Sequence, residues 1–328
     1  MNRTADDSDE EAHIAFLLDV LFDHKMVWVQ QLLKSKGLSA AGTKPDLRSR
    51  IKACLDNDLL ATADLIDLLD TIEGWGDQHI YLYKASNSLI ASLAGEANLK
   101  ATLRKLHLLR LFNGRTPVVL PDEPALSAIQ WSADRVRFVW VEKRIYRDPR
   151  DDQSYVEGSI EYDAYEVKQS RGIVSFSCDL VSGLAELLIQ RLPSGNNYRS
   201  EQQKYFKELS DICDVLQLTP HKISGAIKKI DQLKGVRKRS SQLMTARGAQ
   251  VTYTSRSRKD DVYKDPSIRK ARKALGASVA GRLGNFYWPI LGRDIHIKLY
   301  AKDQRIGIFG ECTAAEVENV LSQIRGYC

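Results

Sequence analysis

Residues 29–51 read VQQLLKSKGLSAAGTKPDLRSRI, a pattern that specifies two short helices joined by a glycine-bearing turn. Val29, Leu32 and Leu33 have the spacing of one apolar helical face. Gly37 then stands where a left-handed residue ends a helix, and Leu38 supplies the hydrophobic contact that follows such a cap. Gly42 and Thr43 lead into the second helix, where Pro45 suits the first turn and Leu47 and Ile51 lie four apart. Lys34, Lys36, Lys44, Arg48, Arg50 and Lys52 fall between these anchors, so they are expected to project outward. A helix N-terminus beside Lys44 is a phosphate site in outline.

This arrangement resembles the SAP domain, over residues 27–60 or so. The residues that carry the resemblance are Gly37-Leu38, Gly42-Thr43-Lys44, Leu47 and Arg50-Ile51 at the required spacing. The resemblance implies double-stranded DNA binding, often at A/T-rich duplex, with Lys34, Lys36, Gly42, Thr43, Lys44, Arg48 and Arg50 at the interface. It names a ligand and not a reaction.

The chain has 328 residues, enough for two or three domains. No window approaches the ~18 apolar residues that a membrane helix needs, and the acidic start Asp6, Asp7, Asp9, Glu10, Glu11 is unlike a leader. No membrane contact and an intracellular location, in cytoplasm, nucleoid or nucleus, are therefore expected. Cys54, Cys178, Cys213, Cys312 and Cys328 are scattered and odd in number, which argues against a disulfide framework or a structural zinc site. The net charge of +6 is unevenly placed: residues 220–285 hold 17 Lys and Arg against 4 Asp and Glu. Such a surplus in one segment is expected of a surface that faces a polyanion.

Three domains of an α+β protein are expected, at 1–74, 75–196 and 197–328. In the first, Ser8 with Glu11 reads as a capping box ahead of an apolar face at Ile14, Leu17, Leu18 and Leu21. Leu59 to Ile72 is helical by period, and Gly74-Trp75-Gly76 breaks it. The middle domain reads as a helix over 98–112, then antiparallel strands at Arg135–Tyr146, Ser159–Lys168 and, after a turn at Gly172, Ile173–Cys178. Leu180 to Leu192 reads as a helix. His79 and His107 lie among apolar neighbours and read as core or surface histidines, not ligands.

Within that domain Glu166-Val167-Lys168 has the E-x-K form, both side chains on one strand face, with Asp152 or Asp163 upstream. Magnesium-dependent nucleases use such a set, the carboxylates holding the metal and the lysine orienting the attacking water. Solvated strand faces produce the same pattern by chance.

Residues 198–258 resemble a winged helix-turn-helix. Thr219 would cap the second helix, with Pro220 at its first position and Ile223, Ile227 and Ile230 inward. Its outer side would present His221, Lys222, Ser224, Lys228 and Lys229 to the major groove, and Gln217 stands at the turn position usually held by glycine. Gln250 to Thr254 alternates like a strand of the wing. Arg237, Lys238 and Arg239 flank it on one side, and Arg256, Arg258 and Lys259 on the other. Asp265-Pro266 starts a helix carrying Arg269, Lys270, Arg272 and Lys273. Ile295–Tyr300 and Arg305–Phe309 form a hairpin, and Thr313 with Glu316 caps a last helix.

The reading favoured is a non-enzymatic DNA-binding protein with two phosphate-contacting surfaces and no cofactor. Its rival in another class is a magnesium-dependent nuclease. A third reading is a scaffold of a nucleoprotein or phage-defence complex whose central domain holds a protein partner.

Overall fold

The computed structural model describes residues 5–257, 259–276, 278–290, 292–310 and 312–328, with side chains from residue 11 onward. Four helices come first: α1 (Ala5–Asp23), α2 (Met26–Ser35), α3 (Lys44–Asp56) and α4 (Thr62–Glu73). Next are β1 (Gln78–Ala85), α5 (Asn87–Ala94), α6 (Glu96–Lys105), β2 (Ala125–Trp131) and β3 (Arg135–Pro149). The strands β4 (Tyr155–Glu157), β5 (Ile160–Tyr162), β6 (Tyr165–Asp179) and β7 (Leu184–Gln190) follow, then α7 (Tyr198–Ser210), β8 (Leu218–Pro220) and α8 (Ile223–Gln232). The chain closes with β9 (Arg237–Met244), β10 (Gln250–Thr254), α9 (Pro266–Ala274), β11 (Ala280–Ile290), β12 (Arg293–Tyr300), β13 (Arg305–Phe309) and α10 (Ala314–Tyr327). The fold is α+β. No helix among the described residues is long and apolar enough to cross a membrane.

Two compact units result: residues 1–74, 116–124 and 142–172 form one, and 75–115, 125–141 and 173–328 the other. The three-part division expected from sequence is not followed, because strands on both sides of residue 196 share one sheet.

The first unit is a helical cluster around Leu17, Leu21, Leu33, Leu47, Ile51, Leu65 and Leu69, all at most 1% exposed. The α2–α3 turn forms as its sequence specifies. Gly37 sits at φ +70, the Leu38 N–H donates to the Leu33 carbonyl and the Gly37 N–H to that of Lys34, which closes a helix end whose carbonyls would otherwise lack donors. At the start of α3 the Asp46 carboxylate accepts from the Thr43 N–H at 2.8 Å and its hydroxyl at 2.7 Å. Ser8 lies inside α1 rather than at its start. The same unit carries the β4–β5 hairpin, on which Tyr155 and Tyr162 stack with ring centroids 4.8 Å apart.

The second unit is built on an 11-stranded sheet, ordered β10-β9-β11-β12-β13-β1-β7-β6-β3-β2, with β8 on β1. The pairs β10–β9, β9–β11, β11–β12, β12–β13, β13–β1, β1–β7, β7–β6, β3–β2 and β1–β8 are all antiparallel. Alternation along β1 feeds two cores: Tyr81, Tyr83 and Ala85 enter one, while Ile80 and Leu82 enter the other with Ile223, Ile227 and Ile230 of α8 and Val317, Val320 and Leu321 of α10.

Four expectations are corrected here. Leu180–Leu192 is mostly strand β7, with Ala185, Leu187 and Ile189 in one core and Leu188 in the other. A central strand buried on both sides is a continuous apolar run that periodicity cannot tell from a buried helix. Gly172 marks no turn, since β6 runs through it. The 98–112 helix ends at Lys105. The helix-turn-helix is also absent: between α7 and α8 the chain makes a short 3-10 turn and then β8, which pairs Lys84 with Thr219 and Tyr83 with Pro220. Lys222, not Thr219, precedes α8. Pro220 tolerates this place because β8 is only three residues long and proline needs no ladder donor at a strand end.

Candidate nucleic-acid interface

The SAP-like residues divide by what holds them. The Arg50 guanidinium donates to the carbonyls of Ser39 at 3.0 Å and Ala41 at 2.6 Å, so it fastens the α2–α3 loop instead of reaching outward. Arg48 pairs with Asp19 at 2.6 Å and Lys36 with Asp64 at 2.8 Å. Gly42 (φ +129) has Asp46 beneath it, and Thr43 is engaged in the cap. Lys34 and Lys44 stay exposed, Lys44 on the first residue of α3.

The larger basic surface is in the second unit. The end of α8, the 233–236 loop, the start of β9, the turn at 261–264 and α9 enclose a cleft of about 830 Å³. Two carboxylates line it, and both are engaged. Asp231, 4% exposed, accepts from Tyr263 Oη at 2.7 Å and Arg272 Nε at 2.8 Å. Asp261 accepts backbone N–H groups from Tyr263 at 2.7 Å and Lys238 at 3.2 Å. Lys234, Lys264, Arg269 and Lys273 line the same cleft and have no acid partner among the described residues. Asp265 caps α9 by accepting the Ser267 N–H at 2.8 Å, and Pro266 opens it. No residue of α9 is buried, so Arg269, Lys270 and Lys273 meet solvent.

Several residues expected at the DNA surface are instead structural. The Lys238 ammonium reaches the Leu233 carbonyl, and burial lowers its pKa. Arg272 is tied to Asp231, and Arg237 pairs with Asp294 at 2.5 Å while lying over the Tyr287 ring at 4.0 Å. His221 lies before α8, its N–H donating to the Leu82 carbonyl, and burial holds its pKa down. Ser224 and Lys228 are half-buried on α8, and Lys222 and Lys229 are exposed, with the Lys229 ammonium 5.7 Å from the Tyr327 ring centre. Arg239 is half-buried on β9; Arg256 and Lys259 are exposed in the loop after β10, and Arg258 lies outside the described residues. Lys234, Lys264 and Tyr263 were not singled out from sequence. Their only signal was membership of the basic segment.

The E-x-K residues of the first unit do come together, but as a chain of alternating charge. Arg150 lies 3.5 Å from Glu166 and 3.7 Å from Asp152, and Lys168 lies 3.7 Å from Glu166 and 2.9 Å from Asp148. The Asp148 hydrogen bond, with the charges of Asp148 and Glu166, raises the Lys168 pKa and so keeps its ammonium protonated. Asp163 is exposed in the loop between β5 and β6. A guanidinium thus stands where a divalent ion would need the carboxylates of Asp152 and Glu166. Among the described residues no three His, Cys, Asp or Glu side chains are grouped to hold a metal.

Compared with known proteins, the sequence matches no family model and no curated protein.

Proposed function

We propose that the chain is a double-stranded DNA-binding protein that works through phosphate contacts, with one basic surface in each unit. The observation that carries this is the cleft and α9: four cations with no acid partner among the described residues, beside two carboxylates already engaged within the protein. Like charges gathered this way repel one another and are relieved by a polyanion. The SAP-like pair adds Lys34 and Lys44 at a helix start, where backbone N–H groups and the helix dipole favour a phosphate. Sequence preference would be weak, since phosphate contacts fix position and not base identity. Such a ligand places the protein in the cytoplasm, nucleoid or nucleus.

The test is duplex binding by fluorescence anisotropy at several salt concentrations. For a handful of phosphate contacts, log K should fall against log salt with a slope near 0.9 per contact. Replacing Lys270 and Lys273 with alanine should flatten the slope by about one to two units. Binding that is independent of salt, or an unchanged slope in the folded double variant, overturns the reading.

A further inference from the structure

We propose that the cleft beneath α9 binds one phosphorylated nucleoside unit, the chemistry shared by a free nucleoside polyphosphate and by the 5′-terminal nucleotide of a DNA strand. For the second source the proposal rests on the DNA reading above; for the first it stands alone.

The argument starts from shape. A duplex backbone is convex and can ride only on the rim, whereas a concavity of about 830 Å³ has the size of a small-ligand pocket. Its lining joins two chemistries. Leu233, Val236 and the Tyr263 ring supply apolar surface for a base, and Lys234, Lys264, Arg269 and Lys273 supply charge for phosphates. Four cations match the three or four negative charges of a nucleoside triphosphate.

The floor is already organised. Asp231 fixes Tyr263 through its hydroxyl and Arg272 through Nε, and Arg272 Nη1 donates to the Gly276 carbonyl at 3.3 Å. Arg272 Nη2 is buried and has no acceptor among the described residues. The Asp231–Arg272 pair ties α9 to the end of α8. The backbone that carries Lys234, Lys264, Arg269 and Lys273 is therefore braced before a ligand arrives, which lowers the cost of binding.

The experiment is titration calorimetry on the full chain with five probes: ATP, adenosine, inorganic phosphate, a duplex with 5′-phosphorylated unpaired ends, and the same duplex closed by hairpin loops at both ends. ATP should bind at least about tenfold more tightly than adenosine or phosphate. It should displace the open duplex at lower concentration than the closed one, because the closed duplex shares only the rim cations of α9. Arg269→Ala with Lys273→Ala, both on exposed positions of α9, should weaken ATP by about tenfold or more without moving the melting temperature. If the closed duplex binds while ATP does not bind and open ends add nothing, the cleft proposal is overturned and the DNA reading stands. If ATP binds and neither duplex does, the cleft proposal holds with free nucleotide as its source, and the DNA reading falls.

Discussion

The Arg171 guanidinium and the Glu73 carboxylate, 98 residues apart in sequence, form an ion pair in the interior of the first unit, with side-chain exposures of 1% and 3%. Arg171 Nη2 also donates to the Pro117 carbonyl at 2.8 Å, so three separate stretches of chain meet at one side chain. Burial pulls the Arg171 pKa down to about 10, which leaves it charged at neutral pH. Glu73→Ala would strand that charge away from water. The expected loss is about 3–5 kcal/mol in urea denaturation. A loss under ~1 kcal/mol would mean that the pair is solvated.

Gly281 lies under α8. A Cβ there would come within 2.5 Å of the Ile227 side chain and 3.0 Å of the Ser224 carbonyl. Because backbone and a β-branched residue are both in the way, Gly281→Ala should destabilise the chain by about 1–3 kcal/mol. Gly248, a turn glycine at φ +83 with open space around its Cα, should lose less on the same change, through backbone strain alone. Thermal melts of the two variants side by side make the comparison.

Two histidines, His79 buried and His24 half-buried, predict acid sensitivity. Burial and then the charge of Arg171 lower the His24 pKa to about 4, and burial with Arg305, Arg191 and Lys298 lowers that of His79 to about 3. Both are neutral in the folded chain, while in the unfolded chain they take up protons as pH falls through 6.5. The unfolded state therefore binds more protons between pH 6.5 and about 4, and stability falls on acidification across that window. Each histidine contributes up to ~1.4 kcal/mol per pH unit there. His79→Gln should remove about one proton from the pH dependence of the unfolding free energy. A profile that is flat from pH 7 to 5 in the parent protein contradicts this account.

Arg50 and Lys44 lie six residues apart and should fail in different ways. Arg50→Ala removes both loop contacts and should cost about 1–3 kcal/mol with a secondary effect on DNA. Lys34→Ala with Lys44→Ala should leave the melt unchanged and flatten the salt dependence of duplex binding by about one to two units. Anisotropy and melting curves on both variants separate the two roles.

The helical hairpin at 29–51 was legible because its signals are local. The αL glycine, Pro45 in the first turn and the i, i+4 apolar spacing each act within a few residues. The Thr313–Glu316 box of α10 and the Asp265-Pro266 start of α9 were legible for the same reason. What failed was non-local. Nothing near Leu187 says that it will be covered on both faces, and nothing near Thr219 says that Lys84 will pair with it. The cleft shows the same division. Its surplus of charge was visible in composition, but only tertiary structure shows that Asp231 holds Arg272, and that Arg237 and Lys238 are engaged within the protein while Lys234 and Lys264 line the opening.

The place of β1 in the sheet has a consequence for synthesis. This strand lies between β7 and β13, pairing Tyr81 with Leu187 on one side and with Arg305 on the other. As the chain leaves the ribosome from its N-terminus, β1 emerges long before its second neighbour exists. Pairings so distant in sequence close slowly and leave an apolar edge open to other chains in the meantime. A chain truncated before Arg305 keeps that edge permanently, so C-terminal deletions should cause aggregation rather than the loss of one dispensable module.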